Sequence, residues 1–486
     1  MLKQKTINGL KWSFIDKTTS LGLSFIIGII LARLLSPREF GLIGMITVFI
    51  AIADPFVNFG FSAALIRKQR CTQVDYSTVF YFNLMIGLLF YLLLFFTAEE
   101  ISIFFNEPLL KTMVRILGLC IIINALSLIQ SIRLKKRIDF KLQTKVSMIA
   151  SVISGAAGIA MAYAGYGVWS LVAKIILGSL LSAIFLWHWN AWKPSFMFSI
   201  SSFKEMFSFG GNLFVSRLLD IIYRNIYYLI IGKYYTAAEL GYYTRAELFQ
   251  SLPSSTLHGV IGRVSFPVLS TIQDDIPRLK ETYKKIIRST MLITFVLMFG
   301  MAAISKPMIL TLIGEKWEPC VIYLQMLCFV GMFYPLSALN LNMLYVQGRS
   351  DLTLRIEIIK KGLSVPVMVI AVVYGIKAMI SGMILLALIS YFFNSYWSGR
   401  LIGYTTLEQI KDILPSFLLA VIMSSIVFVE GFLVRLPPLP LLIIQLITGV
   451  LLTFGLSEAF HLKDYLYIKD AVKDNFFKSD SSSLMN

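Results

Sequence analysis

Arg217, Asp220 and Arg224 stand at i, i+3 and i+7 in a stretch otherwise apolar and aromatic enough to cross a membrane. On a helix this spacing puts all three on one face, with Asp220 within reach of either arginine. Two cations against one anion leave one positive charge over. A surplus buried cation is costly unless an anion arrives to meet it, and a guanidinium grips phosphate in a two-point fork. The chemistry on offer is reversible phosphate binding, with no bond made or broken. Arg224, the deepest of the three, leads as candidate. The alternative is structural pairing, with Arg217 reaching back to the basic side of the membrane.

Ionisable groups within hydrocarbon are rare, and each is a candidate for function. Asp54 lies midway along a second apolar stretch, beside Pro55 and near Asn58. It could serve as a proton or cation site, or as a cap where the proline breaks the helix. Lys174 and Arg263 add positive charge to two further stretches, and Lys17 lies near the start of the first. The candidate phosphate-binding set is therefore Arg224, Arg217, Lys174, Arg263 and Lys17, with Asp220 and Asp54 as charge or coupling partners. Cys71, Cys120, Cys320 and Cys328 lack metal-ligand or CxxC spacing, and His188, His258 and His461 are far apart. No catalytic grouping, metal site or cofactor is expected.

The elements that must carry these groups are membrane helices. Hydrophobic residues make up 57% of the 486, and the mean hydropathy is +0.76. Apolar segments of spanning length fall at roughly 10–35, 41–66, 77–98, 112–132, 146–164, 168–188, 206–231, 246–270, 289–313, 320–346, 356–375, 378–399, 413–433 and 439–460. The segment at 246–270, with Gln250, Pro253, His258 and Arg263, needs protein or water to face. With the N-terminus inside, Lys and Arg favour the inner side by about three to one over short loops. Both termini are then cytoplasmic, and the N-terminal run reads as a first span, not as a cleavable leader. Basic loops on membrane spans also account for the formal charge of +17, which excludes a nucleic-acid role. Trp187, Trp189 and Trp192 are expected to form an interfacial belt.

The stretch Ile29–Gly41 has an echo at Leu229–Gly241: Arg33 matches Lys233, Glu39 matches Glu239, and Gly41 matches Gly241. At the same interval Lys17 coincides with Arg217. Six spans separate the copies, so both run the same way, as a parallel repeat. The expected fold is an all-α polytopic membrane protein of about fourteen helices: two six-helix lobes in parallel pseudo-two-fold repeat, plus a C-terminal helical hairpin. The corresponding divisions are 1–200, 201–400 and 401–461, followed by a charged, then Ser-rich cytoplasmic tail at 462–486. Two lobes sharing a cavity suit alternating access.

Three sets of residues carry a family resemblance. They are Gly9-Leu10-Lys11-Trp12-Ser13 before a long span; Leu31–Gly41 followed by Phe59-Gly60-Phe61-Ser62-Ala63-Ala64-Leu65-Ile66; and Phe209-Gly210-Gly211-Asn212 leading to Ile231-Gly232-Lys233 and Glu239-Leu240-Gly241-Tyr242-Tyr243. Over about 1–460 the chain resembles the polysaccharide transporter branch of the multidrug/oligosaccharidyl-lipid/polysaccharide exporter superfamily. Within it, the chain looks like the Wzx-type O-antigen and exopolysaccharide flippases, including the colanic-acid exporter subgroup. The resemblance implies a non-enzymatic protein of the bacterial inner membrane that moves undecaprenyl-diphosphate-linked oligosaccharide between leaflets. It also implies coupling to a proton or sodium gradient or the membrane potential, contact with membrane lipid, and a polysaccharide polymerase and chain-length regulator as neighbours. It supplies no motif that assigns the site residues. Three rivals stand beside it. One is a peptidoglycan lipid-precursor flippase of the same plan. The second is a drug or cation antiporter, whose cavity should favour acidic residues over the cations found here. The third is a membrane polymerase or ligase, for which the outer connection at about 99–111 is too short.

Overall fold

The computed structural model describes residues 2–462, 464–466 and 469, with the backbone alone at 2–11, 13–17, 212–213 and 255–264. Every described regular element is helical. The chain divides into two compact units, Met1–Gly241 and Tyr242–Asn486.

The first unit holds α1 (Leu2–Leu34), α2 (Pro37–Asn58), α3 (Phe61–Arg67), α4 (Gln73–Phe96), α5 (Ala98–Phe105), α6 (Leu109–Arg137), α7 (Phe140–Tyr163), α8 (Val168–Trp189) and α9 (Ile200–Tyr234). Here α1 packs on α7, α7 on α8, α6 between α4 and α8, and α2 on α9. Helix α10 (Ala237–Ser270) runs from the end of the first unit into the second. The second unit continues with α11 (Ile276–Ala303), α12 (Ser305–Leu312), α13 (Cys320–Gly331), α14 (Tyr334–Val346), α15 (Ser350–Tyr374), α16 (Ile376–Ile402), α17 (Thr406–Leu433) and α18 (Pro438–Ala459). In it α11 packs on α17, α16 lies against α13, α14 and α15, and α18 covers α12 and α17.

The starts of several spans are written in the sequence. Ser36 with Glu39, Thr72 with Asp75, and Thr405 with Glu408 form capping boxes before α2, α4 and α17. Each satisfies helix N–H groups that would otherwise lack partners. Among the described residues ten spans are long and apolar enough to cross a membrane, with α2–α3 and α13–α14 each counting as one. The remaining long helices are α1, α9, α10 and α15, which bring the total to the fourteen expected. Two of them are polar for spans: α9 carries Arg217, Asp220 and Arg224, and α15 carries Arg355, Glu357, Lys360 and Lys361. Such helices face protein or water over part of their surface. The chain is thus an all-α, multi-spanning membrane protein.

The repeat has a structural counterpart. An eight-residue helix follows α4 in one copy and α11 in the other, as α5 and α12. The echoed stretches also meet. A Cβ placed on Gly41 would lie 1.6 Å from the Ala237 carbonyl oxygen, and one on Gly241 would lie 2.0 Å from that of Pro37. Residue 37 corresponds to 237 and 41 to 241, so each copy makes the same contact with the other. That reciprocity is what a two-fold relation requires.

Of the three tryptophans expected at the interface, Trp192 is turned into the bundle and the other two are partly exposed. Trp192 is buried, and its indole donates to Gln73 Oε1 at 2.7 Å. Its ring packs beside Tyr76 and Phe80. A polar partner inside the bundle outweighs the interfacial preference, because the N–H is satisfied there while the ring is kept from water.

Candidate functional site: the α2–α9 helix pair

Asp54 sits where α2 is weakest. Pro55 has no N–H, so the Ala51 carbonyl loses its helical donor. One turn later Phe59 (φ 37°) and Gly60 (φ 73°) are both left-handed and end α2 before α3 resumes the direction of travel. Glycine takes this conformation without penalty, whereas phenylalanine is strained in it.

This interrupted stretch lies antiparallel on α9. As α2 and α3 advance from 54 to 68, their partners on α9 step back from 217 to 205. Arg217 Nη2 meets Asp54 Oδ2 at 2.8 Å. Phe56 and Phe214 pack edge to face, with centroids 4.9 Å apart. Phe59 stacks on Phe214 and Phe207 at 4.5 and 4.4 Å. Gly60 and Gly210 then bring the two backbones together: a Cβ on Gly60 would come within 2.9 Å of the Gly210 Cα. Beyond them Arg67 lies over the Phe209 ring, and Lys68 pairs with Glu205 at 2.9 Å. Two of the motifs quoted for the resemblance, Phe59-Gly60-Phe61 and Phe209-Gly210-Gly211, are thus the two sides of one helix crossing.

The basic end of this pair is locked by charge. Lys68 Nζ also reaches the buried Asp75 at 3.2 Å, and Lys136 Nζ donates to the carbonyls of Leu65 and Lys68 at the end of α3. The hydrogen bond to Glu205, then those to Asp75, hold the Lys68 ammonium above its ordinary range, against the opposing effect of burial.

The mid-helix pair is of another kind. Arg217 has seventeen residues of α9 on either side, about 25 Å each way, which is the middle of the helix. The Arg217 and Asp54 side chains are each 52% exposed. The carboxylate that meets Arg217 is therefore Asp54 on another helix, whereas helical spacing alone pointed to Asp220. Asp220 is exposed one turn further along α9, and Arg224 one turn beyond that, also exposed. Among the described residues Arg224 makes no hydrogen bond or ion pair. Lys174 belongs to a different helix pair: it is half-buried on α8, with its stem close to Gly158 of α7. The side chains of Lys17 and Arg263 lie outside the described residues. The described residues contain no cluster of three or more His, Cys, Asp or Glu suited to a metal ion.

The Asp54–Arg217 pairing was missed in the sequence because each residue was weighed within its own helix. The available signal was that each is an ionisable group midway along its span, with opposite signs.

Residues 30–322 match the family described as polysaccharide biosynthesis protein. The lipopolysaccharide biosynthesis protein WzxC of Escherichia coli (strain K12) is 26% identical over 76% of this chain and 75% of its own length. The teichuronic acid biosynthesis protein TuaB of Bacillus subtilis (strain 168) is 26% identical over 72% and 73%. The succinoglycan biosynthesis transport protein ExoT of Rhizobium meliloti (strain 1021) is 27% identical over 63% and 62%. In fold the chain is similar to the lipid II flippase MurJ in an inward closed conformation, with a TM-score of 0.76 at 18% identity over 94% of this chain and 99% of that one. It is also similar in fold to an inward-facing multidrug-resistance MATE family transporter of the MOP superfamily, with a TM-score of 0.60 at 15% identity over 79% and 95%. The chain shares a fold with these transporters, and a match over more than half its length places it in the polysaccharide biosynthesis protein family.

Proposed function

We propose that this protein is a flippase that moves an undecaprenyl-diphosphate-linked oligosaccharide across the bacterial inner membrane by alternating access, without covalent chemistry. Both termini are cytoplasmic in this reading, and α9 runs from the basic, cytoplasmic end outwards. Relatives named for lipopolysaccharide, teichuronic acid and succinoglycan support a lipid-linked glycan as substrate. A proton or sodium gradient drives the cycle, as the superfamily's antiporters suggest. A polysaccharide polymerase and chain-length regulator act downstream.

The observation that carries the reading is Arg224. Its guanidinium is exposed on a spanning helix, without a partner among the described residues, about 10 Å beyond Arg217 along α9. Among the described residues no acid is bonded to Arg224. The diphosphate is the anion that would complete it.

Flipping of a labelled undecaprenyl-diphosphate oligosaccharide in proteoliposomes tests this. Loss of one charged hydrogen bond should slow flipping by about 10- to 100-fold in Arg224→Ala, with Arg224→Lys intermediate because it keeps the charge without the fork. The fold shared with a lipid II flippase makes the peptidoglycan precursor the second reading. Movement of lipid II in the same vesicles, with the oligosaccharide left in place, would replace the first reading by the second. Native rates in Arg224→Ala would remove Arg224 from the site.

A further inference from the structure

We infer that Asp54 is an exchangeable internal anion: it occupies Arg217 in the empty protein, and a phosphate oxygen of the substrate takes its place. This rests on the phosphate-binding reading above and assigns Arg217 and Asp54 separate parts in it.

The geometry of the pair distinguishes it from the two forked arginine pairs of the same chain. Arg38 holds Glu107 through Nε and Nη2, at 3.4 and 2.7 Å. Arg349 holds Asp351 through the same two nitrogens, both at 2.9 Å. Arg217 instead touches Asp54 through one nitrogen and one oxygen, and no other described group bonds to that guanidinium. Four of its five N–H groups are left to a ligand. Both side chains are half exposed, so an oxygen can reach them without parting the helices. The neighbouring contacts, Phe56 on Phe214 and Gly60 on Gly210, are apolar and do not depend on the pair. They hold α2 on α9 while the anion is exchanged.

The physical consequence is a competition. A carboxylate brings a single charge and here makes a single contact, whereas a diphosphate brings more charge and can fill the fork. Asp54 keeps Arg217 extended and supplied with a counter-charge while the site is empty, which avoids a lone cation in the membrane. It also weakens binding by the free energy of the contact that must be broken, which lets the headgroup leave on the far side. Arg217 is thus a binding residue, and Asp54 is a positioning residue that sets its affinity.

Binding of undecaprenyl diphosphate to the full-length protein in nanodiscs tests this, alongside flipping and thermal unfolding. Asp54→Asn should bind about tenfold more tightly and flip more slowly, because release is impeded. Unchanged or weaker binding at native thermal stability would overturn the inference. The uncharged pair Asp54→Leu with Arg217→Met covers the case in which Asp54→Asn fails to fold. It removes both charges together, so no buried charge is orphaned. It should unfold at or above the native temperature, yet bind at least tenfold more weakly and lose flipping. Native flipping in that variant would show the pair to be structural only, and would likewise overturn the inference. Failure of the folded native protein to bind undecaprenyl diphosphate at all would instead refute the phosphate-binding reading itself.

Discussion

Gly210 and Gly211 are neighbours on α9, and alanine should act on them with opposite sign. A Cβ on Gly210 would lie 2.2 Å from the Phe59 carbonyl oxygen and 3.5 Å from the Phe59 ring, whereas one on Gly211 would meet nothing within 4 Å. An ordinary carbon–oxygen contact needs about 3.2 Å, so Gly210→Ala must drive α9 and the Phe59–Gly60 corner about 1 Å apart. Overpacking of this size costs about 2–3 kcal/mol. The corner yields poorly, because Phe59 is already left-handed and stacked on two rings. Against that, alanine favours a helix over glycine by about 0.8–1 kcal/mol. Gly210→Ala should therefore lose about 1–2 kcal/mol, and Gly211→Ala should gain up to about 1 kcal/mol. For a unit of 241 residues this corresponds to unfolding temperatures about 4–10 °C apart. Scanning fluorimetry of the two purified variants in one detergent reads the difference directly. The close crossing would be refuted if Gly210→Ala unfolded at or above the temperature of Gly211→Ala.

Two further outcomes follow from the packing. Gly41→Ala and Gly241→Ala each thrust a methyl into the backbone of the other repeat, and one separation relieves both. The double variant should therefore lose markedly less stability than the two singles added together, and a thermal double-mutant cycle with full additivity would contradict the reciprocal contact. Lys68, held above its ordinary range chiefly by Glu205, contributes stability that is complete below its unfolded value of about 10.4 and fades as pH rises through its folded value. Unfolding temperature measured from pH 9 upwards should fall less steeply in Lys68→Met than in the native protein, and parallel curves would exclude Lys68 as the source.

Which parts of the molecule could be read in advance depended on how local their causes are. The spans were legible because hydrocarbon imposes about twenty apolar residues on each crossing. The charges on α9 and the polar residues of α10 were legible too, as interruptions of that run. The burial of Trp192 was not legible because the partner of its indole, Gln73, is 119 residues away. The motifs Phe59-Gly60-Phe61 and Phe209-Gly210-Gly211 were recognised by resemblance, yet nothing in either stretch says that it touches the other.

The sequence by itself determined the membrane class, the helix count and the repeat, since each follows from hydropathy, charge bias or spacing along the chain. It also determined which ionisable side chains must reside in spans, because their cost in lipid marks them out wherever they point. The tertiary structure alone decided the pairing: Arg217 meets Asp54 on α2, not the Asp220 one turn away on its own helix. Helical spacing brings Asp220 within reach. The contact made is the one allowed once Gly60 has docked on Gly210 and the rings of Phe56, Phe59 and Phe214 have set the register of two antiparallel helices. An ion pair between helices is a product of that register, and backbone approach at glycine is what permits it.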